Sequence, residues 1–375
     1  MNIAYIHNME IVLDSRTQKE INSLVSYGHK VYFCGWNKDK TGPIENCSIE
    51  LRGKQFNFEN ICVKVKKRAG IKDNLGNLLK YYRQLDKWLT EHRNDVDAIH
   101  ACNMDTAYAA MRFAKKYHKK FVYDIYDDYA DAHVVGPRLY KIIKKIDAYI
   151  MNNASEVIIC SEKRFEQLAS RKNKHIVVIH NTPDIKDVDP NLLKPKQSNK
   201  VKLVYVGNLD DTRYIVELVD IVGKNPDIEL HIGGGGAVEN EVKTAADKYP
   251  NVFYYGRLTY EQTLSLESNC DILPALYVPT LKNHKYAAPN KFYEALYLGK
   301  PIIMFRNTGV DDLVEKYNTG IVIDFNSTAL EAAIRDIACN IPYWRTRSLE
   351  IKKIYREYFS WDIMEKRLLN IYCNK

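Results

Sequence analysis

Two charged residues with a spacing suited to ligand binding, Lys291 and Glu294, lie in the segment PNKFYEALYLGKPII (289–303). Pro289 and Asn290 are typical of a helix start, and the later GKP is typical of a helix end, so the segment predicts a short helix followed by a buried strand. A cation in the first turn of a helix, beside free backbone N–H groups, favours a bound phosphate. The alternative is an ion pair on a solvated helix face, worth about 0.2–0.5 kcal/mol, and the segment alone favours this simpler interpretation.

Glycine-rich turns after predicted strands are the second candidate for phosphate binding. In VGNLDDTR (206–213), Gly207 allows a tight backbone turn and Arg213 lies where the next helix begins. The run GGGG at 233–236 lacks the G-x-G-x-x-G spacing of a dinucleotide fingerprint, and no Walker A motif occurs. The glycine pattern therefore indicates neither a dinucleotide site nor a P-loop.

Acidic residues follow a predicted strand in YDIYDD (123–128), where three carboxylates come at and just after the strand end. Ligands of α/β folds bind at such strand ends, although aspartates there are also common helix caps. Metal-ligating spacings such as H-x-x-x-H and H-E-x-x-H are absent, as is a G-x-S-x-G nucleophile turn. The sequence therefore predicts no metal site and no cofactor.

The composition is that of a globular protein, with 46% hydrophobic and 27% charged residues among 375. This length predicts two domains. No apolar run reaches the roughly 18 residues of a membrane helix, and the first residues lack the cationic region of a signal peptide. The eight cysteines form no C-x-x-C pair, which predicts free thiols in a reducing compartment. We therefore expect a cytoplasmic protein.

Positive charge is concentrated in the first half of the sequence. Residues 1–182 contain 30 Lys and Arg against 21 Asp and Glu, whereas residues 183–375 contain 25 against 26. Two local clusters are VKVKKR (63–68) and YKIIKKI (140–146). Each alone is typical of a solvated surface, but together they favour an anionic membrane face or a phosphorylated acceptor, and hence a peripheral location at the inner face of the cell membrane. Nucleic acid is not an expected partner, since no recognition motif accompanies the charge.

Strands and helices alternate in both halves of the sequence. The strands predicted in the first half are NIAYIH, KVYFCGW, DAIHA, KFVYDIY, EVIIC and HIVVIHN, with helices between them that include one at 137–152 and one after EVIIC. Those predicted in the second half are VKLVYVG, IELHIGGGG, NVFYYG, CDIL, PIIMF and GIVIDF. Such alternation predicts an α/β fold with parallel sheets covered by helices on both faces.

The two alternating regions predict two Rossmann-like domains. The sequence between them is polar and contains prolines, which is typical of a linker. The expected organisation is a first domain at 1–183, a linker at 184–200, a second domain at 201–345 and a helical segment at 346–375 that packs back toward the first domain. Two such domains would leave a cleft between the carboxyl ends of their sheets, where ligands bind.

Six segments of the second half form a pattern together: VYVGNLDDTR, IELHIGGGG, VFYYGRLTYEQ, CDILPALY, PNKFYEALYLGKPII and TGIVIDF. In order and spacing they resemble the nucleotide-sugar domain of the retaining glycosyltransferases of family 4. The segments DSRTQKEINSLVSYGHKVYF, VIHNTPD and FSWDIMEKRLLNIY are similar to that family's opening strand and helix, its crossover and its closing helix. The resemblance covers nearly the whole chain and implies the GT-B fold, in which two Rossmann-like domains face each other across a cleft and a helix closes the chain.

The resemblance implies roles for residues that match the family's motifs. Glu294 sits where the second glutamate of the E-x7-E pattern binds the ribose hydroxyls, whereas the position of the first glutamate holds Tyr286. Arg213 matches the basic residue, usually lysine, that contacts the diphosphate. Lys291 lies where a second cation is often found.

Other positions complete the predicted site or depart from the family. Asn208 replaces the usual arginine after the glycine turn, and Tyr126, beside Asp127, replaces the first-domain histidine that touches the donor sugar. The backbone around Tyr255 and Arg257 would hold the base. Catalytic roles are thus predicted for Arg213, Lys291 and Asp127. Donor or acceptor binding is predicted for Glu294, Gly207, Asn208, Tyr255, Arg257, Asn290, Pro289, Tyr286 and Arg16.

The activity implied by the resemblance is metal-independent transfer of a hexosyl or N-acetylhexosaminyl group, with retention, from a nucleotide-sugar to a glycan or lipid-linked acceptor. A UDP-sugar is the expected donor, and surface polysaccharide or glycoconjugate synthesis is the expected setting. One alternative is a non-catalytic GT-B partner subunit, which the loss of a glutamate at Tyr286 would suit; donor hydrolysis or transfer would argue against it. The other is a sugar-nucleotide epimerase of the same fold, which would convert the donor without an acceptor.

Overall fold

The structure is a computed structural model that describes residues 1–66, 71–133, 135–170, 172, 175–184 and 188–373. It divides into two compact units: Met1–His180 together with Met364–Lys375, and Asn181–Ile363. Residues 67 and 68 of the basic cluster VKVKKR and residues 185–187 of the predicted linker lie outside the described residues.

An eight-stranded sheet, counted over the described residues, forms the centre of the first unit. Its strands are β1 (Asn2–Ile6), β2 (Lys30–Asn37), β3 (Glu45–Leu51), β4 (Lys54–Cys62), β5 (Ala98–Cys102), β6 (Lys120–Ile125), β7 (Glu156–Ile159) and β8 (Ile176–Val178). They lie in the order β3-β4-β2-β1-β5-β6-β7-β8. The strands β1, β5 and β6 are buried along nearly their whole length, as expected of central parallel strands covered on both faces.

The edge of this sheet adds an antiparallel pair to the predicted parallel sheet. β3 pairs with β4 in antiparallel register, with Leu51 opposite Lys54. The two residues between them, Arg52 and Gly53, both have positive φ, 47° and 76°. Two residues of this kind make the tight hairpin turn that matches the twist of the strands, so the chain doubles back here instead of crossing over.

Helices cover the sheet of the first unit. They are α1 (Ser15–Ser26), α2 (Ile71–Glu91), α3 (Asn103–Tyr117), α4 (Tyr129–Ala132) and α5 (Pro137–Asn152). The start of α1 is fixed by the Asp14 side chain, which accepts a hydrogen bond from the Arg16 N–H at 3.0 Å. The helix predicted at 137–152 is confirmed with Pro137 in its first turn. The helix predicted after β7 is instead a 3₁₀-helix at Glu162–Glu166, where the Gln167 N–H donates to the Arg164 carbonyl at 3.0 Å and closes an i to i+3 turn.

Over its described residues, the second unit contains two three-stranded parallel sheets. Their strands are β9 (Val201–Asn208), β10 (Ile228–Gly235), β11 (Val252–Tyr254), β12 (Leu273–Ala275), β13 (Ile302–Phe305) and β14 (Gly320–Ile323). A parallel bridge between Leu203 and Ile272 joins the two sheets. The helices are α6 (Ile215–Gly223), α7 (Glu239–Lys248), α8 (Tyr260–Ser268), α9 (Asn290–Leu298), α10 (Asp311–Tyr317), α11 (Ser327–Cys339) and α12 (Ile341–Ile354). The predicted alternation of strands and helices is confirmed in this unit.

Glycine is required where β9 and β10 end. A Cβ atom on Gly234, whose φ is 130°, would lie 1.8 Å from the carbonyl oxygen of Gly207. A Cβ atom on Gly236 would lie 2.2 Å from the Leu209 carbonyl oxygen. The run of four glycines therefore serves close packing of the two strand ends, and this packing shapes the turn that follows β9.

The last helix, α13 (Trp361–Cys373), passes into the first unit at Met364. Within that unit the Tyr372 hydroxyl lies 2.7 Å from Nδ1 of His100 on β5, and Arg367 donates to the Val178 carbonyl at 2.8 Å. The C-terminal segment is thus an integral part of the first unit. None of the helices in the described part of the chain is long and apolar enough to cross a membrane.

Candidate functional site

The turn after β9 and the first turn of α9 meet in the second unit. The Lys291 ammonium group donates a hydrogen bond to the Val206 carbonyl and lies 4.8 Å from the centre of the Tyr205 ring. The Tyr205 hydroxyl donates to the Asn208 carbonyl at 2.8 Å, which holds the turn closed. Gly207 lies beside this lysine, since a Cβ atom there would be 3.7 Å from Nζ. The fold therefore brings together Gly207 and Lys291, two of the residues predicted to bind the donor.

Glu294 lies one turn further along α9 and is 3% exposed. The Tyr260 hydroxyl, from α8, is hydrogen bonded to its carboxylate. The Lys291 side chain is 11% exposed, and its ion pair is with Glu267 of α8, at 3.7 Å between Nζ and Oε1. The interpretation of Lys291 and Glu294 as a solvated surface pair is therefore wrong, because both side chains are packed in the interior of the unit.

Glu267 is a site residue that the sequence reasoning missed. It is fully buried, and within the described residues neither carboxylate oxygen has a hydrogen-bond partner. Burial and the charge of Glu294 raise the pKa of Glu267 well above its usual value, and only the ammonium of Lys291 opposes this shift. Glu267 follows Tyr260, Thr263 and Leu264 at the i, i+3, i+4, i+7 spacing of one helix face. A glutamate on a face that packs inward was the signal available in the sequence.

Arg213 is the last residue of a 3₁₀ turn at Asp211–Arg213, between β9 and α6. The Asp210 side chain caps this turn by accepting from the Thr212 N–H at 2.7 Å. The guanidinium of Arg213 lies 3.8 Å from the centre of the Tyr277 ring and donates to Thr212 Oγ1 at 3.0 Å. These contacts fix the direction of the Arg213 side chain. Burial raises the pKa of Tyr205, and the nearby charge of Arg213 opposes this shift. Lys291 lies over the ring of the same tyrosine.

His284 supports Arg213 from the 3₁₀-helix Lys282–Tyr286. Its Nδ1 lies 2.8 Å from the Val278 carbonyl and its Nε2 lies 2.8 Å from Nη1 of Arg213. A carbonyl can only accept and a guanidinium can only donate, so Nδ1 carries the proton and Nε2 accepts from the arginine. The histidine is therefore neutral in this arrangement and positions the cation without repelling it.

The remaining predicted residues of the second unit lie around these groups. Tyr255 bonds inward, with its hydroxyl 2.8 Å from Nδ1 of buried His231, and burial raises the Tyr255 pKa to about 12. Arg257 is exposed and lies against the backbone of Gly235, where a Cβ atom would be 2.8 Å from its Nη2. Pro289 is buried as the N-cap of α9, whereas Asn290 is exposed in its first turn and Tyr286 is half-buried before it.

The two residues predicted in the first unit take part in different contacts. Asp127 has a half-exposed side chain and is paired with buried Arg164 at 2.8 Å. Arg16 is buried: its Nε lies 2.9 Å from Glu20, its Nη2 lies 3.1 Å from both oxygens of Asp124, and its Nη1 donates to the Ile179 carbonyl at 2.7 Å. The structure therefore places Arg16 in the interior of the unit and Asp127 at its surface, and it does not bring them together.

One group of potential metal ligands occurs among the described residues: His100, Cys102 and Asp124, with ligand atoms within 4.8 Å of one another. All three are buried beside Arg16, whose guanidinium contacts Asp124 through both carboxylate oxygens. Burial acts to raise the pKa of Asp124, but the charge of Arg16 outweighs it and lowers this pKa. A permanent cation thus already neutralises this carboxylate, which fits a structural network better than a metal site.

Comparisons with known proteins agree with this architecture. The family model described as Glycosyltransferase Family 4 matches residues 18–187, and the model described as Glycosyl transferases group 1 matches residues 191–341. The chain therefore belongs to the family 4 glycosyltransferases, which have the GT-B fold. No curated protein sequence matches it.

Solved structures similar to this chain share its fold over the full length. Sucrose-phosphate synthase from Thermosynechococcus elongatus has a TM-score of 0.73 at 14% identity, with 99% of this chain and 98% of that chain covered. The Anabaena protein HepE in complex with UDP and glucose has a TM-score of 0.68 at 15% identity, with 99% of both chains covered. An E. coli structure described as trehalose-6-phosphate bound with UDP-2-fluoro glucose has a TM-score of 0.70 at 10% identity, with 100% of both chains covered.

Proposed function

We propose that this glycosyltransferase takes its sugar from a nucleotide-sugar, with a UDP-sugar as the first candidate, at the turn after β9 and the start of α9. The observation that carries the proposal is the position of Lys291 beside Gly207, one turn before buried Glu294. A diphosphate would lie near the ammonium and a ribose near the carboxylate, since a carboxylate accepts hydrogen bonds from two adjacent hydroxyls. Bound UDP or UDP-2-fluoro glucose in similar structures supports this choice of donor.

Arg213 and Lys291 would then stabilise the leaving diphosphate. Negative charge builds on this group as the bond between the anomeric carbon and the phosphate oxygen breaks. Arg213 is held by His284 and Tyr277, and Lys291 by the Val206 carbonyl, so neither cation needs to reorganise during the reaction. Fixed cations of this kind favour a mechanism without a divalent metal ion, which we include in the proposal together with retention at the anomeric carbon.

The proposed acceptor is a glycan or a lipid-linked sugar at the inner face of the cell membrane, in surface polysaccharide or glycoconjugate synthesis. The excess of positive charge in residues 1–182 supports an acceptor or surface that is anionic. Asp127 is the proposed first-unit group for handling the donor sugar or the acceptor, because its half-exposed carboxylate is oriented by Arg164. Transfer of a hexosyl or an N-acetylhexosaminyl group fits this proposal equally well.

The test is a calorimetric binding screen of UDP-, GDP- and dTDP-sugars, followed by NMR analysis of the anomeric configuration of the product. We expect UDP-sugar binding that Lys291→Ala weakens and that the exposed control Lys316→Ala leaves unchanged. Product formation in the presence of a chelator tests metal independence. Activity that is lost in chelator and restored by magnesium or manganese would contradict that part, and an inverted product would contradict retention.

A further inference from the structure

Helix α5 carries an apolar stripe on its exposed side. Four of its large apolar residues are exposed: Leu139 by 41%, Ile142 by 53%, Ile146 by 36% and Tyr149 by 51%. Their spacings of three, four and three residues place them on one face of the helix. An outward helix face in a globular protein is usually polar, so this stripe is a surface that requires an explanation.

The opposite face of α5 is packed in the normal way. Ile143, Ile150 and Met151 are buried in the first unit, and Asp147 is buried beside them with its carboxylate bonded to the Tyr123 hydroxyl at 2.7 Å. Asp147 is the one acidic residue of α5, which is described from end to end. The helix is therefore anchored by one face and carries no carboxylate on the other.

Basic residues flank the apolar stripe. Arg138, Lys141 and Lys145 are exposed and, at about 100° per residue, lie along one side of the stripe. Lys144, the other lysine of YKIIKKI, is paired instead with Asp128 and with the Gln167 carbonyl. Two of the three lysines of this sequence cluster are thus directed to solvent beside exposed isoleucines.

The neighbouring helix α3 extends the same surface. Tyr108, Arg112 and Lys115 are exposed at the i, i+4, i+7 spacing of one helix face. The Lys115 ammonium donates to the Tyr149 hydroxyl at 2.9 Å and lies 4.6 Å from the centre of its ring, so the two helix faces are continuous. The acidic residue of α3, Asp105, is bonded to Asn8 and does not belong to this face. We name this surface the α3/α5 patch; it consists of Tyr108, Arg112, Lys115, Arg138, Leu139, Lys141, Ile142, Lys145, Ile146 and Tyr149.

We propose that the α3/α5 patch docks this protein onto an anionic lipid bilayer, with α5 lying in the plane of the interface. Aliphatic and tyrosine side chains would enter the boundary between headgroups and acyl chains, and the lysines and arginines would meet the anionic headgroups. The ten residues of the patch are aliphatic, aromatic or basic, and none is acidic, which suits a membrane better than a nucleic acid, since a nucleic acid offers no apolar layer to isoleucines. The inference deepens the proposed function, because it names the surface that would bring the enzyme to a lipid-linked acceptor.

The first part of the test measures how far vesicle binding depends on the basic residues of the patch. Sedimentation with vesicles of phosphatidylcholine containing phosphatidylglycerol should show binding at low salt that weakens in high salt and is absent with phosphatidylcholine alone. Lys141→Gln together with Lys145→Gln should lower the partition coefficient about 25-fold, since each basic residue near an anionic surface contributes about five-fold. The matched control is Lys248→Gln together with Lys316→Gln, two exposed lysines of the second unit, which should have no effect.

The second part measures how far vesicle binding depends on the apolar stripe of α5. Ile142→Ser together with Ile146→Ser should lower the partition coefficient more than about ten-fold, because buried apolar area is lost from the bound state. The control pair, Val216→Ser and Leu349→Ser, changes apolar residues of the second unit that are 41% and 76% exposed, and should bind as the unchanged protein does.

Binding of UDP to each variant separates the two proposals. Variants that no longer bind vesicles but still bind UDP would support the proposed role of the α3/α5 patch. If the unchanged protein binds vesicles but does not bind UDP, the proposed donor is wrong and the membrane proposal stands. Vesicle binding that both patch variants retain, or none by the unchanged protein at low salt, would overturn the membrane proposal. A dimer seen by analytical ultracentrifugation that Ile142→Ser and Ile146→Ser dissociate, without vesicle binding, would assign the patch to self-association and would also overturn it.

Discussion

The ammonium group of Lys291 lies 3.7 Å from Oε1 of Glu267, a carboxyl group that is fully buried. The same ammonium donates to the Val206 carbonyl at the turn after β9. The Lys291 ammonium is thus held by two groups, the Glu267 carboxyl of α8 and the backbone carbonyl near the end of β9. Lys291 therefore has two roles to test, as the polar partner of a buried carboxyl and as the proposed contact of the diphosphate, and mutation can separate them.

We predict that Lys291→Met destabilises the second unit by about 1–3 kcal/mol, because the buried Glu267 carboxyl loses the polar group that faces it. Adding Glu267→Met to Lys291→Met should recover most of the unfolding free energy, since two apolar side chains leave no polar group of this pair buried without a partner. UDP affinity should stay about ten-fold or more below that of the unchanged protein in both variants. Thermal unfolding and UDP calorimetry measure the two effects.

The control for this comparison is Glu267→Met alone, which should keep UDP affinity within a few-fold because Lys291 remains in place and still donates to the Val206 carbonyl. Recovery of UDP binding in the double variant would show that Lys291 acts only as a partner of Glu267. The phosphate role of Lys291 would then be wrong.

We predict that Glu294→Gln weakens UDP binding about ten- to hundred-fold. The free energy of unfolding of the ligand-free protein should change little. The amide preserves volume but replaces a charged acceptor of ribose hydroxyl bonds, and a charge-assisted bond is worth about 1.5–3 kcal/mol. The matched control is Glu331→Gln on α11, where the glutamate side chain is half-exposed. An unchanged dissociation constant for UDP, measured by calorimetry, would remove Glu294 from the proposed site.

Most strands and their alternation with helices could be predicted, because buried parallel strands are continuous apolar runs and the turn motifs are local. The β3–β4 hairpin was missed because β3 alternates exposed and half-buried residues and its turn depends on a positive φ at Arg52. Glu267 was missed for a different reason. Its burial depends on α8 packing against α9, a tertiary relationship that sequence spacing suggests only weakly.

The interior position of Arg16 also depends on tertiary structure. Its partner Asp124 lies 108 residues away, and its contact with the Ile179 carbonyl spans 163 residues. Local sequence offers no sign of either contact. The outward direction of Ile142 and Ile146 was hidden in the same way, since periodicity alone cannot tell a stripe that faces the core from one that faces solvent.

We predict that Asp147→Asn changes the pH dependence of stability in the first unit. Burial raises the pKa of Asp147 to about 6 from 3.8, with Asp128 adding to this rise and Tyr123 and Lys144 opposing it. The folded state therefore holds a proton that the unfolded state releases, so the free energy of unfolding falls by about 3 kcal/mol as the pH rises from about 4 to 6. The asparagine variant lacks this decrease and should be the more stable protein above pH 6.

Thermal unfolding midpoints of the two proteins at pH 4 and pH 7.5 measure this effect. The exposed control Glu91→Gln should follow the unchanged protein at both values. Equal differences between Asp147→Asn and the unchanged protein at pH 4 and pH 7.5 would show that Asp147 does not titrate in this range.

Finally, we predict that Arg213 acts on the diphosphate and not on the nucleoside. Its guanidinium is fixed by Tyr277, Thr212 and the unprotonated Nε2 of His284, so its charge would act on the proposed leaving diphosphate without reorganisation. Arg213→Ala should weaken UDP about ten-fold or more and uridine hardly at all, and kcat should fall further than donor affinity because charge on the diphosphate grows in the transition state. Arg213→Lys should retain more activity than Arg213→Ala, and the control is Arg335→Ala, which changes an exposed arginine of α11. Equal losses of UDP and uridine binding in Arg213→Ala would instead make Arg213 a structural residue that supports the turn before α6.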